Sequence, residues 1–289
     1  MRMKAISKQH KNVGARIKLS YILQTTHLIP CLTATTFTLV IALLSGQRWQ
    51  ILILFPMVLL GQFTIGWSND YLDRDRDRKA GRLDKPIAMD LIGAVTIRNI
   101  AVVGFIVSCG LGFVYGRAAG AVYLAAMVSA LAYNFWLKHT AFSLLSPTLS
   151  FALLPVVVGL GASTPQVVAA WMIVACASLG AGVHIINVIP DFVDDAATGI
   201  KGTIHYLSYA YAVLFGGLVL VGSSMAVAIG TYNKAVYVSA FIAVVTAITA
   251  SAFVRQYMHK NYQAAFAVSA KTLIVTMLIV LSGAPYMLK

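Results

Sequence analysis

Residues 51–78 read ILILFPMVLLGQFTIGWSNDYLDRDRDR, and no charge interrupts them until Asp70. The first eighteen residues, 51–68, predict an apolar helix of the length that crosses a hydrocarbon core of about 30 Å. An abrupt run of carboxylates and guanidiniums succeeds them. A spanning helix that ends in clustered aspartates is unusual, because ionisable groups beside the bilayer are costly unless they do something there.

The rest of the chain repeats the apolar half of this pattern. Over 289 residues the hydrophobic fraction is 59%, the charged fraction 11% and the mean hydropathy +0.81. Soluble domains average about 25% charged residues, so the composition predicts an all-α integral membrane protein. Nine transmembrane helices are expected, at 22–44, 51–68, 97–115, 119–136, 144–162, 166–189, 207–230, 235–254 and 265–284. They read as one membrane-embedded domain over 1–289. Residues 1–20 form a basic interfacial segment without the apolar core of a signal peptide. Segments 69–96 and 190–206 are expected to be loops capping a central cavity. Pro30, Pro56 and Pro155 fall inside spans, where neighbouring helices can satisfy the freed carbonyls. Gly180, Gly182, Gly216 and Gly217 read as close-packing positions. Cys31, Cys109 and Cys176 all sit in apolar stretches and read as small core residues rather than a disulfide framework or zinc site.

Charge sets the expected orientation. With the N-terminus in the cytoplasm, eighteen of the 22 Lys and Arg residues fall on the inner side and only four, Arg48, Arg117, Lys234 and Lys289, on the outer. The positive-inside rule then predicts N-in, C-out, with a cytoplasm-facing cavity. The net charge of +13 fits cytoplasmic loops against anionic lipid and not nucleic acid.

The acidic residues are the most informative. There are nine, all aspartate, and they fall in two stretches: Asp70, Asp73, Asp75, Asp77, Asp84 and Asp90, then Asp191, Asp194 and Asp195. If the second helix continues, Asp70, Asp73 and Asp77 lie within about 60° on one face. Asp75 falls on the opposite side among Arg74, Arg76 and Arg78, as a solvated ion-pair partner. In the second stretch Asn187, Asp191 and Asp195 are spaced by four, with Asp194 close enough to serve as a further ligand. Stacked carboxylates repel one another unless a cation sits between them, and hard oxygen ligands suit Mg²⁺. Taken singly, each cluster also reads as an ordinary charged helix end at the interface. Their shared side and shared pattern favour one site.

On these residues the chain resembles the UbiA superfamily of intramembrane prenyltransferases. Asn69-Asp70-xx-Asp73-xxx-Asp77 matches that family's NDxxDxxxD motif, and Asp191-xxx-Asp195 matches its DxxxD motif, with Asn187 upstream. Tyr133 and Lys138 match a weaker Tyr-then-cation signature after the fourth helix. The resemblance implies Mg²⁺-dependent transfer of an isoprenyl group from an isoprenyl diphosphate to an aromatic or lipidic acceptor, through diphosphate ionisation and an allylic carbocation. It implies metal or metal-water contacts from Asp70, Asp73, Asp77, Asp191, Asp194 and Asp195, around two ions. Asn69, Asn187, Tyr133 and Lys138 would help to hold metal or diphosphate. Lys201, Arg82 and Lys85 are further candidates on loops, and each also reads as a solvated or lipid-facing cation. Phe63, Trp67, Tyr71, Phe135 and Trp136 stand near the motifs, either as interfacial belt residues or as faces for a carbocation. His184 reads as a packed histidine or as an acceptor contact, and His27 and His205 carry less signal.

The chain departs from the family in three places. Gly81-Arg82-Leu83-Asp84-Lys85-Pro86 replaces an Arg-Pro turn, Asp194 is additional, and His27 and Pro30 stand where an arginine is common, a place that Arg16 or Lys18 could fill. Two other readings compete. The same ionisation without an acceptor would give a terpene cyclase. A cation-coupled transporter would also use membrane carboxylates, but would carry them at the midplane rather than at helix ends.

Overall fold

The computed structural model describes residues 15–190 and 201–288. Among them there are ten α-helices and no strand. They are α1 (Ala15–Gln24), α2 (Leu28–Leu44), α3 (Ile51–Lys79), α4 (Ala94–Tyr115), α5 (Arg117–Phe135), α6 (Leu145–Leu160), α7 (Ala170–Val188), α8 (Tyr209–Thr231), α9 (Val236–Met258) and α10 (Tyr262–Gly283). The helices α2 to α10 fall where nine apolar helices were expected. Seven of these nine are long and apolar enough to cross a membrane, while α2 and α6, at 17 and 16 residues, are shorter.

Two boundaries differ from expectation, each for a local reason. The segment 22–44 is not one helix. Thr25 and Thr26 turn their hydroxyls back on the carbonyls of Ile22 (2.8 Å) and Leu23 (2.6 Å), and His27 takes a left-handed conformation with φ 51°. A left-handed residue cannot continue a right-handed helix, so the helix breaks there. The second difference concerns 69–96. Its first eleven residues are not loop but the last three turns of α3, which runs unbroken for 29 residues through Pro56. At 1.5 Å per residue that is about 44 Å, more than the hydrocarbon core requires. The excess carries the aspartates.

The helices close into a ring. Each of α2 to α8 packs on the next, α8 packs on α10, and α10 returns to α2; α9 lies outside, against α8 and α10. The main core contains Met57, Tyr123, Met172, Leu179 and Leu220, contributed by α3, α5, α7 and α8. Small residues permit the closest crossings. A Cβ on Gly120 would stand 2.7 Å from the backbone nitrogen of Phe113, so α4 and α5 meet almost backbone to backbone. Gly180 does the same for α7 against α6, where a Cβ would be 2.5 Å from the Pro147 carbonyl oxygen. This contact fixes α7 against its neighbour one turn before His184.

Candidate active site

The three expected carboxylates on α3 do share a face. Asp70, Asp73 and Asp77 are 3%, 6% and 6% exposed, whereas the Asp75 side chain is 66% exposed and pairs with Arg74 at 3.3 Å. Helical spacing alone separates them: i, i+3 and i+7 turn inward and i+5 turns out. The inward stripe is fixed from behind by Asn134 on α5. Its amide donates to the Ile65 carbonyl (2.9 Å) and to Ser68 Oγ (2.7 Å), just before the motif.

Each of the first two buried carboxylates faces cations of the chain itself. Lys85 Nζ donates to Asp70 Oδ1 at 2.7 Å and lies 3.2 Å from His27 Nε2, which is itself 3.0 Å from the same carboxylate oxygen. Lys138 and Arg76 divide the Asp73 carboxylate between them: Lys138 donates to Oδ1, and Arg76 Nη2 donates to Oδ2 at 2.9 Å. Lys138 also donates to Asn69 Oδ1 at 3.2 Å. Lys138 is 6% exposed, and burial pulls its ammonium below the ordinary lysine value, against the opposing pull of Asp73. A lysine held this deep by a carboxylate and an amide is placed there for its charge, since an unpaired buried ammonium costs several kcal/mol.

These groups open on a cavity of about 170 Å³ at one end of the ring. From α3 it is lined by Asn69, Asp73 and Arg76, and from α5 by Tyr133. Lys138 closes one side from the short 3₁₀ turn Leu137–His139. The C-terminal half of α7 contributes His184 and Val188, and the His184 ring meets the Tyr133 ring edge-on with centroids 5.5 Å apart. The last wall is the turn at 202–205, tied to the loop after Lys138 by Thr203 N donating to Ser143 Oγ at 2.8 Å.

Of the residues expected at the site, Asn69, Asp73, Tyr133 and Lys138 therefore meet in one cavity. Asp70 and Lys85 pair beside it on the same stripe. Arg82 is exposed and holds Asp84 through two hydrogen bonds of 2.9 and 2.8 Å, and Asn187 and Lys201 are exposed. Asp191, Asp194 and Asp195 lie outside the described residues, as do residues 1–14. Four residues with little or no sequence signal join the site: Arg76, His27, His184 and His205. Arg76 stands three residues after Asp73, a spacing that places it on the Asp73 side and was the available clue. His27 had only its place where an arginine is common in the family; a left-handed turn brings it to a carboxylate 43 positions away. Phe135 and Trp136 are each 59% exposed, which suits an interfacial belt, and Arg74 covers the Tyr71 ring at 4.6 Å.

The sequence profile of the UbiA prenyltransferase family matches residues 28–281. The chain belongs to this family. It is thus a prenyltransferase and an integral, multi-pass membrane protein. No curated protein matches it in sequence. Solved UbiA structures share the fold at low identity. A digeranylgeranylglyceryl phosphate synthase is 16% identical over 93% of this chain and 99% of its own, with a TM-score of 0.74. A UbiA homologue from Archaeoglobus fulgidus bound to GPP and Mg²⁺ is 14% identical, over 90% of this chain and 99% of its own, with a TM-score of 0.66. The same homologue bound to DMAPP and Mg²⁺ gives 14%, 91%, 98% and 0.64.

The donor chemistry of the first motif fits Mg²⁺: carboxylate and amide oxygens are the hard ligands that ion prefers. The first motif does not complete a site. Among the described residues no three acidic or histidine side chains converge closely enough to hold an ion. The further donors expected from the sequence are those outside the described residues.

Proposed function

We propose that this UbiA member transfers an isoprenyl group from an isoprenyl diphosphate to an aromatic or lipidic acceptor within the membrane, with its site on the cytoplasmic side. One observation carries the reading. Asn69 and Asp73 of the first motif share a cavity with Tyr133, Lys138 and the end of α7, and α7 leads directly into the second motif. The charge asymmetry of the loops supports N-in, C-out orientation and a cytoplasmic cavity.

The reaction needs the allylic C–O bond of the donor to break, with the electron pair leaving on the diphosphate. The acceptor then attacks the allylic carbon and loses a proton. The diphosphate gains charge as the bond breaks, so groups that meet it must be positive and already in place. Asp70, Asp73 and Asp77, with Asp191, Asp194 and Asp195, would hold two Mg²⁺ ions, which supply positive charge opposite the leaving group when bound. Lys138 is positioned to donate to diphosphate oxygens by exchanging Asp73 or Asn69 for them, and Tyr133 offers a hydroxyl on the same wall. Lys85 neutralises Asp70 and reaches the same region from the loop after α3. Asn69 and Asn187 would orient donor or metal, and the exposed loop cations Arg82 and Lys201 would draw the anionic donor toward the protein. The apolar helices around the cavity keep water from the carbocation and give the isoprenyl tail a path into lipid.

The test uses purified protein with radiolabelled geranyl and geranylgeranyl diphosphates, Mg²⁺ and a membrane lipid extract. The expected result is a labelled lipid-soluble product that requires both extract and Mg²⁺. Hydrocarbon formed equally well without extract would replace the reading with a cyclase.

A further inference from the structure

Arg76, whose side chain is 32% exposed, carries on the cavity wall one buried nitrogen without a partner among the described residues. Its Nη2 is bound to Asp73 Oδ2 at 2.9 Å and lies 3.8 Å from Asp77 Oδ1. Its Nη1 is buried and has no hydrogen-bond partner among the described residues. A buried charged donor without an acceptor costs the full desolvation of that group. Lys138, on the same cavity, differs: its ammonium is engaged by Asp73 and Asn69. Arg82, one of the loop cations considered for the diphosphate, is exposed and engaged by Asp84. Arg76 alone among these three cations presents a fixed, buried and unengaged N–H edge at the cavity.

From this geometry we infer that Arg76 is a diphosphate-binding residue of the enzyme: its Nη2 remains on Asp73 and its Nη1 donates to a diphosphate oxygen of the donor and of the released pyrophosphate. The inference rests on the prenyltransfer reading and assigns a residue that the two motifs and the Tyr-then-cation signature do not include. Planarity explains the choice of arginine. A guanidinium anchored through one nitrogen projects the other in a fixed direction, whereas a lysine has a single nitrogen for both tasks. The anchor also places the positive charge between the metal-binding stripe and the leaving group. The Arg76 bond to the diphosphate strengthens as the C–O bond breaks, because the accepting oxygens gain charge.

The experiment measures binding of inorganic pyrophosphate with Mg²⁺ to detergent-solubilised full-length protein by calorimetry, for wild type, R76K and R76M, alongside thermal unfolding of each. A charge-assisted hydrogen bond lost from a buried site corresponds to a weakening of about 10- to 100-fold. R76M is expected to weaken pyrophosphate by that factor. R76K, which keeps the charge and loses the fork, is expected to weaken it by about tenfold. R76K carries the test if R76M does not fold. Unchanged pyrophosphate affinity in a folded R76K and R76M overturns the assignment. A wild type that binds no pyrophosphate in Mg²⁺ overturns the prenyltransfer reading, and the Arg76 assignment with it; a wild type that binds while the variants match it overturns Arg76 alone.

Discussion

Lys85 Nζ lies 2.7 Å from Asp70 Oδ1, although α3 ends between them and the chain must turn back to bring them together. The return is built by local bonds: Arg82 N donates to the Asp77 carbonyl (3.0 Å), and Arg78 Nη2 holds Asp90 at 2.6 Å across the same loop. Asp70 is 3% exposed and the Lys85 side chain 14%. Breaking such a buried pair from one side costs about 3–5 kcal/mol, because the remaining charge is stranded. K85M is therefore expected to destabilise the protein by about that amount in thermal unfolding, and D70N combined with K85M to recover most of it. His27, whose side chain is 36% exposed, only supplements Lys85. H27A is expected to cost less than about 1 kcal/mol.

Asp73 and Asp75 differ by two positions and by the face they occupy. D73A is expected to lower turnover by at least about 100-fold, the size of effect seen when a preorganised charge-stabilising group is removed. D75A, which loses one exposed pair with Arg74, is expected to stay within about twofold of wild type. Steady-state rates with a saturating isoprenyl diphosphate measure both. Equal losses in the two variants would contradict the inward stripe.

The glycines give a prediction about packing. Gly120 has backbone of α4 where its Cβ would be, at 2.7–2.8 Å. G120A is expected to destabilise the bundle by about 1–3 kcal/mol through overpacking. Gly222 has nothing within 4 Å of its Cβ position. G222A is expected to be neutral or to stabilise by up to about 1 kcal/mol, the difference in helix preference. Thermal unfolding in detergent compares the two.

Asp84 sets a limit on acid behaviour. Hydrogen bonds from Arg82 hold its carboxyl down at about 2, from an ordinary value of 3.8. A lowered carboxylate contributes its stabilisation fully above 3.8 and loses it only as the pH falls through about 2. Arg82 and Asp84 thus stay paired across any working pH. Rate profiles of wild type and D84N are expected to share the same acid limb between about pH 4 and about pH 7; a shift of that limb in D84N would contradict the assignment.

The chain's periodicity makes much of this legible. Uncharged runs bounded by charges locate nine apolar helices, and a 3.6-residue period is enough to sort Asp70, Asp73 and Asp77 from Asp75. The illegible parts depend on other physics. The break at His27 is a single left-handed residue hidden inside an apolar stretch, which periodicity does not mark. The pairing of Asp70 with Lys85 depends on how a loop folds back, and loops carry no periodicity. Arg76 groups by sequence with the solvated charges around Asp75, although its spacing of three from Asp73 is what brings its guanidinium to that carboxylate. Arg82 reads from sequence either as a diphosphate contact or as a solvated cation, and Asp84, two residues on, holds it at the surface.

On the proposed reading, the two aspartate motifs and the cations around them ionise an isoprenyl diphosphate for transfer. The decisive measurement is mass spectrometry of lipids formed by the purified enzyme from geranylgeranyl diphosphate and a membrane extract, with Mg²⁺ present or removed by EDTA. Prenyltransfer predicts an acceptor increased in mass by the isoprenyl group of the donor, formed with Mg²⁺, lost with EDTA and absent in D73A. An undiminished product in EDTA and in D73A would contradict it.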